Sequence, residues 1–275
     1  MAKADDIADR LARLYGPIAA RIVARRRAAG HGLSAGLCGP QGSGKSTGAV
    51  VLRELIAAEG VSAVIVSLDD LYLGRAARQA LAARVHPLLA TRGPPGTHDV
   101  GLGAGVLAGL LREGPTAVPR FDKAADDQTD KRDWPMVAGP ADVILFEGWC
   151  VGARPQAPAE LAAPVNDLEA EADSDGVWRA YVNKALARDY PALFANIGFQ
   201  ILLSAPSFEI VAEWRIEQEH ALKASGARGR RIQSDEELRR FVKLYERLTR
   251  HLSAEMPSRA DVVIRLDEER NPITD

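Results

Sequence analysis

Gly39-Pro40-Gln41-Gly42-Ser43-Gly44-Lys45-Ser46 decides how this 275-residue chain is read. The stretch satisfies G-x-x-x-x-G-K-[ST] at every fixed position. Just before it, Gly32 to Cys38 is a short apolar run that predicts a buried strand. Just after it, residues 46–59 place Val50, Leu52, Leu55 and Ile56 at helical spacing. Strand, glycine-rich turn and helix in that order make an anion cradle, in which successive backbone N–H groups face inward and the helix adds its positive end. On this reading Gly39, Gln41, Gly42, Ser43 and Gly44 wrap the phosphates of a nucleoside triphosphate. Lys45 reaches the β- and γ-phosphates, Ser46 ligates Mg²⁺ and Thr47 lies near the α-phosphate. Cys38, at the strand end, is a small core residue.

Working outward, four more apolar runs follow: Val61 to Leu68, Val143 to Phe146, Gly198 to Leu203 and Asp261 to Leu266. Helical stretches separate them, at 75–90, 100–113, 177–193, about 207–223 and 234–252. The last is opened by Ser234, with Glu237 three residues on completing a capping box. Each strand is a continuous rather than an alternating apolar run, the mark of a parallel sheet covered on both faces. The expected fold class is therefore α/β, a P-loop NTPase fold with a five-stranded, mostly parallel sheet, helices on both faces and a helical lid. One domain over 1–275 is expected, with N-terminal helices over 1–32 broken near Gly16-Pro17 and a lid at about 207–232. Residues 115–140 read as a long irregular connection, and 152–176, Pro- and acid-rich without an apolar period, as a mobile surface excursion.

Ligands of open α/β sheets bind beyond the carboxyl ends of the strands. The second strand ends in Ser67-Leu68-Asp69-Asp70-Leu71-Tyr72, the third in Phe146-Glu147-Gly148. Asp69 is the first carboxylate past its strand. It can accept a proton from an attacking hydroxyl and help hold Mg²⁺, whereas Asp70 is equally a turn or cap residue. Glu147 stands where a Walker B aspartate would and orients Mg²⁺ water or the substrate. Trp149 suits the cleft lining and the core equally. The 207–223 helix carries Arg215 and precedes Arg228, Arg230 and Arg231, with Gly226 and Gly229 as hinges. Arg215 is a candidate for a lid arginine over the γ-phosphate, the competing reading being a solvated charged helix.

Composition removes other classes. Charged residues make up 26%, with a formal net charge of −2, so no basic excess drives nucleic-acid binding. Two cysteines, Cys38 and Cys150, lie far apart without CxxC spacing, which excludes a disulfide scaffold and a cysteine zinc site. No run of eighteen apolar residues predicts a membrane span, and the first residues lack the pattern of a signal peptide. A cytoplasmic enzyme is expected. Asn183-Lys184 lacks the aspartate of a GTPase base reader, and no Leu-Ser-Gly-Gly-Gln of a transporter ATPase occurs.

The cradle together with Ser67–Tyr72 and Phe146-Glu147-Gly148 resembles the P-loop small-molecule kinases that include uridine kinase, phosphoribulokinase and bacterial pantothenate kinase. More narrowly, Arg92-Gly93-Pro94-Pro95-Gly96-Thr97-His98-Asp99, Pro119-Arg120-Phe121-Asp122-Lys123, Glu147-Gly148-Trp149 and Trp214–Glu219 resemble the plant-type D-glycerate 3-kinase family. The resemblance covers about residues 33 to 266. It implies ATP-dependent phosphorylation of D-glycerate to 3-phosphoglycerate, with Asp69 where the wider group places its general base and Arg92, His98 and Asp99 in the segment lining the acceptor pocket. Residues 124–134 are more charged than the resemblance leads one to expect. The residue types suit a small hydroxy-acid: Arg92 or Arg120 as a cationic fork for its carboxylate, Lys123 as a point charge, His98 and Asp99 for its hydroxyls, with Tyr72 and Glu147 as further substrate contacts. Two competing readings remain, a P-loop kinase for a nucleoside, pantothenate or sugar phosphate, and an ATP-binding regulator without turnover.

Overall fold

A computed structural model describes residues 2–224 and 234–273. Helix α1 (Ala2–Ala29) leads into strand β1 (Leu33–Cys38), helix α2 (Lys45–Ala58), strand β2 (Ala63–Ser67) and helices α3 (Arg75–Arg84) and α4 (Val100–Leu110). Four short strands follow: β3 (Gly114–Ala117), β4 (Phe121–Asp122), β5 (Asp127–Gln128) and β6 (Met136–Gly139). Next come β7 (Val143–Gly148), α5 (Asp167–Ala172), α6 (Val177–Arg188), α7 (Pro191–Phe194), β8 (Ile197–Ser204), α8 (Phe208–Ala224), α9 (Asp235–Glu255) and β9 (Val262–Arg265).

Five strands form one sheet in the order β2-β7-β1-β8-β9, and every neighbouring pair runs parallel. The expected α/β sheet is thus present, with all five strands where the apolar runs placed them. Its central strands are largely apolar because both faces are covered. Val143 and Leu145 of β7 pack with Ile22 of α1 and Leu52 and Ile56 of α2. Ile144 and Phe146, one residue out of phase, pack with Leu110 of α4, Leu193 of α7 and Leu248 of α9. The period-2 alternation of side chains sends apolar groups both ways, so no polar face is left to interrupt the run.

Three expectations need correction. The N-terminal helix does not break at Gly16-Pro17 but continues through Pro17. An interior proline costs about 3 kcal/mol, yet Tyr15, Ile18, Ala19 and Ile22 are buried across the site, and two such large side chains contribute about as much when buried. Gly48 of α2 permits this packing, since a Cβ there would lie 2.3 Å from the Tyr15 hydroxyl. Residues 115–140 are not irregular: β3 pairs antiparallel with β6, and β4 with β5. These ladders are too short for a sequence period to register. Residues 152–176 include α5, which buries Leu168 and Glu169 and is followed by the buried Asp173. The segment is fastened by ion pairs, Glu169 with Arg247 at 2.6 Å and Asp173 with Arg179 at 2.9 Å, rather than by an apolar stripe.

Helix boundaries shift modestly. The 75–90 helix divides into α3 and a short 3₁₀ turn at Pro87–Ala90, and 177–193 divides into α6 and α7, whose first residue is Pro191. The Ser234 capping box on α9 is formed, Ser234 Oγ accepting from the Glu237 N–H at 3.1 Å. Among the described residues no helix is long and apolar enough to cross a membrane.

Candidate active site

The cradle lies between β1, the middle strand of the sheet, and α2. Gly42 and Gly44 hold φ of 77° and 83°, a left-handed backbone that glycine adopts without strain. Gly44 caps α2 with no side-chain hydrogen bond, so the first N–H groups of the helix keep no intrachain side-chain acceptor. Ser43 Oγ and Gln41 Oε1 are buried without partners. Unpaired buried polar groups around an inward-curling backbone are what an anion would satisfy.

Glu147 ends β7 beside the cradle and is 5% exposed. Its Oε1 accepts from the Ser46 hydroxyl at 3.1 Å and the Ser67 hydroxyl at 2.8 Å, while Oε2 is buried with no partner. Hydroxyl and carboxylate oxygens of this kind fit Mg²⁺, which keeps several waters and takes few protein ligands beside phosphate oxygens.

Asp69 follows β2. Its Oδ2 accepts from Lys123 Nζ at 2.6 Å and its Oδ1 from the Tyr72 hydroxyl at 2.8 Å. Burial alone would push this carboxyl up. The ammonium charges of Lys123 and Lys45 and the two hydrogen bonds outweigh it, holding Asp69 ionised well below the usual carboxylate range. Asp70 turns the other way. It accepts from the Phe121 N–H at 3.1 Å and pairs with Arg120 at 3.4 Å, anchoring the β4–β5 hairpin.

Two cavities meet at the cradle. One, of about 300 Å³, is bounded by Lys45, Ser46, Asp69, Tyr72, Arg92 and Lys123, and closed from above by Arg215, Phe241 and Tyr245. The other, of about 410 Å³, opens past Thr47 between the cradle and α8, where Trp214, Gln218 and Arg270 line it. Most of the expected residues therefore converge, the cradle, Asp69, Tyr72, Arg92, Lys123 and Arg215, whereas Glu147 lines neither cavity and meets the site only through Ser46. Arg215 pairs with Glu219 one turn on, at 3.0 Å. Arg92 pairs with Asp126, which the fully buried Arg78 also holds at 2.7 Å. Gly226, Arg228, Gly229, Arg230 and Arg231 of the expected lid lie outside the described residues.

Three expected substrate contacts are not brought to the cavity. Asp99 caps α4, accepting from the Leu102 N–H at 2.9 Å. Arg120 is held by Asp70 and by the Pro119 carbonyl at 2.9 Å. His98 is 4% exposed and bonded to the Tyr190 hydroxyl, with Tyr72 stacked on its ring at 4.6 Å. It supports the tyrosine that holds Asp69. Trp149 is a core residue at 3% exposure, its indole N–H donating to the Gly93 carbonyl.

Burial pushes His98 down to about 3 from its ordinary 6.5. The unfolded chain therefore binds a proton that the folded chain refuses, and stability falls as pH drops from 6.5 towards 3. At pH 5 the loss from this group is about 2 kcal/mol, from about 1.4 kcal/mol per pH unit. Denaturant melts of His98→Phe should show a flatter acid limb over that window. An unchanged limb would mean that His98 is not kept neutral.

Sequence reading missed Tyr245, Phe241 and Arg270. Tyr245 and Phe241 lie on the amphipathic α9, where helical spacing cannot separate a cavity aromatic from a core one. Arg270 follows β9 in a left-handed conformation, φ 68°, uncommon without glycine. It donates to the Gly42 carbonyl at 2.9 Å, pairs with Glu217 at 2.6 Å and lies 5.1 Å over the Trp214 ring. No local motif marks a residue 228 positions from its partner.

A phosphate cradle on the middle strand, with one carboxylate at the end of the adjacent β7 and another past the end of β2, one strand further out, is the build of the P-loop kinases. The chain is 35% identical over 257 residues to the chloroplastic D-glycerate 3-kinase of Arabidopsis thaliana, a match covering 86% of this chain and 53% of the plant protein. It thus spans about half the length of that relative. It is 36% identical over 221 residues to the uncharacterized kinase mug58 of Schizosaccharomyces pombe, covering 76% of this chain and 77% of that one. The structure superposes on D-glycerate 3-kinase from Cryptococcus neoformans var. grubii with a TM-score of 0.78 at 26% identity, over 95% of this chain and 97% of the other. No protein-family model matches. The chain belongs to the same kinase family as the Schizosaccharomyces pombe protein, and it is similar to the two D-glycerate 3-kinases.

Proposed function

We propose that this protein transfers the γ-phosphoryl group of ATP to a hydroxyl of D-glycerate, giving 3-phosphoglycerate. The observation that carries the reading is the carboxylate of Asp69, facing the same cavity as Lys45 and the cationic side chains of Lys123, Arg92 and Arg215. A nucleotide-binding regulator needs no proton acceptor beside its γ-phosphate. A nucleoside kinase needs no such cluster of cations around the acceptor. The names of two relatives, each a D-glycerate 3-kinase, support the choice of acceptor.

In this reading the cradle N–H groups and Lys45 bind the triphosphate and take up charge as the phosphoryl group moves. Asp69 accepts the proton of the attacking hydroxyl. Lys123 and Arg215 hold the acceptor's carboxylate, with Tyr72 fixing Asp69 from the other side. Ser46 and Glu147 would hold Mg²⁺, which would supply neutralisation of phosphate charge. Helix α8 acts as the lid, and the cavity past Thr47 takes the nucleoside, with Arg270 fixing the cradle beside it.

The test is ADP release by the purified protein with Mg-ATP and each of D-glycerate, L-glycerate, pantothenate, uridine and ribulose 5-phosphate. Turnover with D-glycerate alone is expected. Turnover confined to another acceptor would keep the phosphate site and remove the substrate.

A further inference from the structure

We propose that Lys123 masks the catalytic carboxylate of Asp69 until the acceptor's own carboxylate draws it away, so that binding of the acceptor switches on the base. The inference rests on the reading of this site as a kinase for a hydroxy-acid.

The masking is direct. Lys123 Nζ lies 2.6 Å from Asp69 Oδ2, and the Tyr72 hydroxyl occupies Oδ1. A carboxylate paired with an ammonium group is a weaker base towards a hydroxyl or water proton than the same carboxylate unpaired. The mask is also exchangeable. The Lys123 side chain is 46% exposed and that of Asp69 28%, so the ammonium group has an open side from which a second carboxylate can reach it. Its backbone, by contrast, is anchored. Lys123 follows β4 in the turn of the β4–β5 hairpin, where Asp122 Oδ1 accepts from the Ala124 and Ala125 N–H groups at 2.7 and 3.1 Å. At the far side of the turn, Asp126 is gripped by the buried Arg78. The ammonium group can therefore swing while the turn stays in place.

Position makes the exchange selective. Arg92, Lys123 and Arg215 line both the 300 Å³ cavity at the cradle and a wider one of about 730 Å³ that adjoins it. An anion entering from the wider side meets all three cations. Arg92 and Arg215 are paired with Asp126 and Glu219, carboxylates that do not line the cavity at the cradle. Lys123 is paired with the carboxylate that does the chemistry.

The step balances without further reactants. The Lys123–Asp69 hydrogen bond is exchanged for one from Lys123 to the acceptor carboxylate. Asp69 Oδ2 then accepts the acceptor's hydroxyl proton as its oxygen bonds to the γ-phosphorus. The bond to the bridging oxygen breaks, and ADP leaves with the electron pair. Without an acceptor the base stays masked, and water is not activated in its place.

The experiment compares ATP hydrolysis without acceptor in the native protein and in Lys123→Met and Lys123→Arg. Lys123→Met should hydrolyse ATP about tenfold faster than the native protein, a part of what a positioned base contributes. Lys123→Arg, which keeps a cation for Asp69, should hydrolyse ATP more slowly than Lys123→Met. Propionate, a carboxylate without a hydroxyl, should stimulate hydrolysis several-fold in the native protein and not in Lys123→Met. Glycerol, a hydroxyl compound without a carboxylate, should not stimulate it. Hydrolysis unchanged in Lys123→Met, or native hydrolysis indifferent to propionate, would overturn the proposal; the second measurement needs no variant to fold. Stimulated hydrolysis without phosphorylation of D-glycerate would support the mask and remove D-glycerate. Normal phosphorylation without any release of hydrolysis would keep the substrate and remove the mask.

Discussion

Asp69→Asn is expected to lower kcat for D-glycerate phosphorylation by about a thousandfold while ATP affinity stays within about threefold. The replacement is nearly isosteric. An amide oxygen can still accept from Lys123 or from the Tyr72 hydroxyl, so the local packing has no reason to collapse. It cannot accept the hydroxyl proton. The nucleotide contacts lie elsewhere, on the cradle backbone, Lys45 and the α2 N-terminus. Removing a negative charge that interacts with Lys45 would, if anything, favour an incoming polyanion. Steady-state kinetics and calorimetric titration of ATP separate the two effects. A kcat within tenfold of the native value would take proton acceptance away from Asp69. A parallel fall in ATP affinity would make Asp69 a nucleotide or metal residue instead. The double variant Asp69→Asn/Lys123→Met should lose the hydrolysis that Lys123→Met alone releases, because both act through the same oxygen.

The features legible in the sequence were those whose cause is local. The run Val143 to Phe146 betrays a central strand because both of its neighbouring layers are apolar. The cradle is legible because its glycines and lysine are adjacent in the chain. Asp69 and Glu147 are legible because a carboxylate just past a buried strand lies at the ligand-binding edge of such a sheet. The reading failed where a local pattern has two structural uses. His98 and Asp99 sit in the same motif as Arg92, yet the chain turns after Gly96. Asp99 thereby becomes the cap of α4, and His98 lies beneath Tyr72. Arg120 and Lys123 are three residues apart and differ only in which aspartate each meets, Asp70 or Asp69. Arg270 reaches Gly42 from the other end of the chain, and no spacing in the sequence encodes that contact.

The same limit accounts for residues 152–176, and it carries the second large prediction. Arg247→Met should cost about 4 kcal/mol of stability, the range for breaking a buried ion pair. Arg247 and Glu169 are 8% and 0% exposed at their side chains. The guanidinium donates to both carboxylate oxygens, at 2.8 and 2.6 Å, and to the carbonyls of Glu160 and Ala163 at 2.8 and 2.6 Å. Methionine fills much of the volume but leaves a buried charge and two carbonyls without these donors. Glu169→Leu combined with Arg247→Met should recover most of the loss, because the orphaned charge goes with its partner. Urea unfolding at neutral pH measures both. A cost below about 1 kcal/mol for the single variant would mean that the pair behaves like a surface one. The consequence should reach the site. Helix α9 carries Arg247, and it also carries Phe241 and Tyr245 over the acceptor cavity, with the Tyr245 hydroxyl donating to the Arg92 carbonyl at 3.1 Å. Loosening α9 from α5 should therefore raise KM for the acceptor several-fold before the protein unfolds, with KM for ATP unchanged.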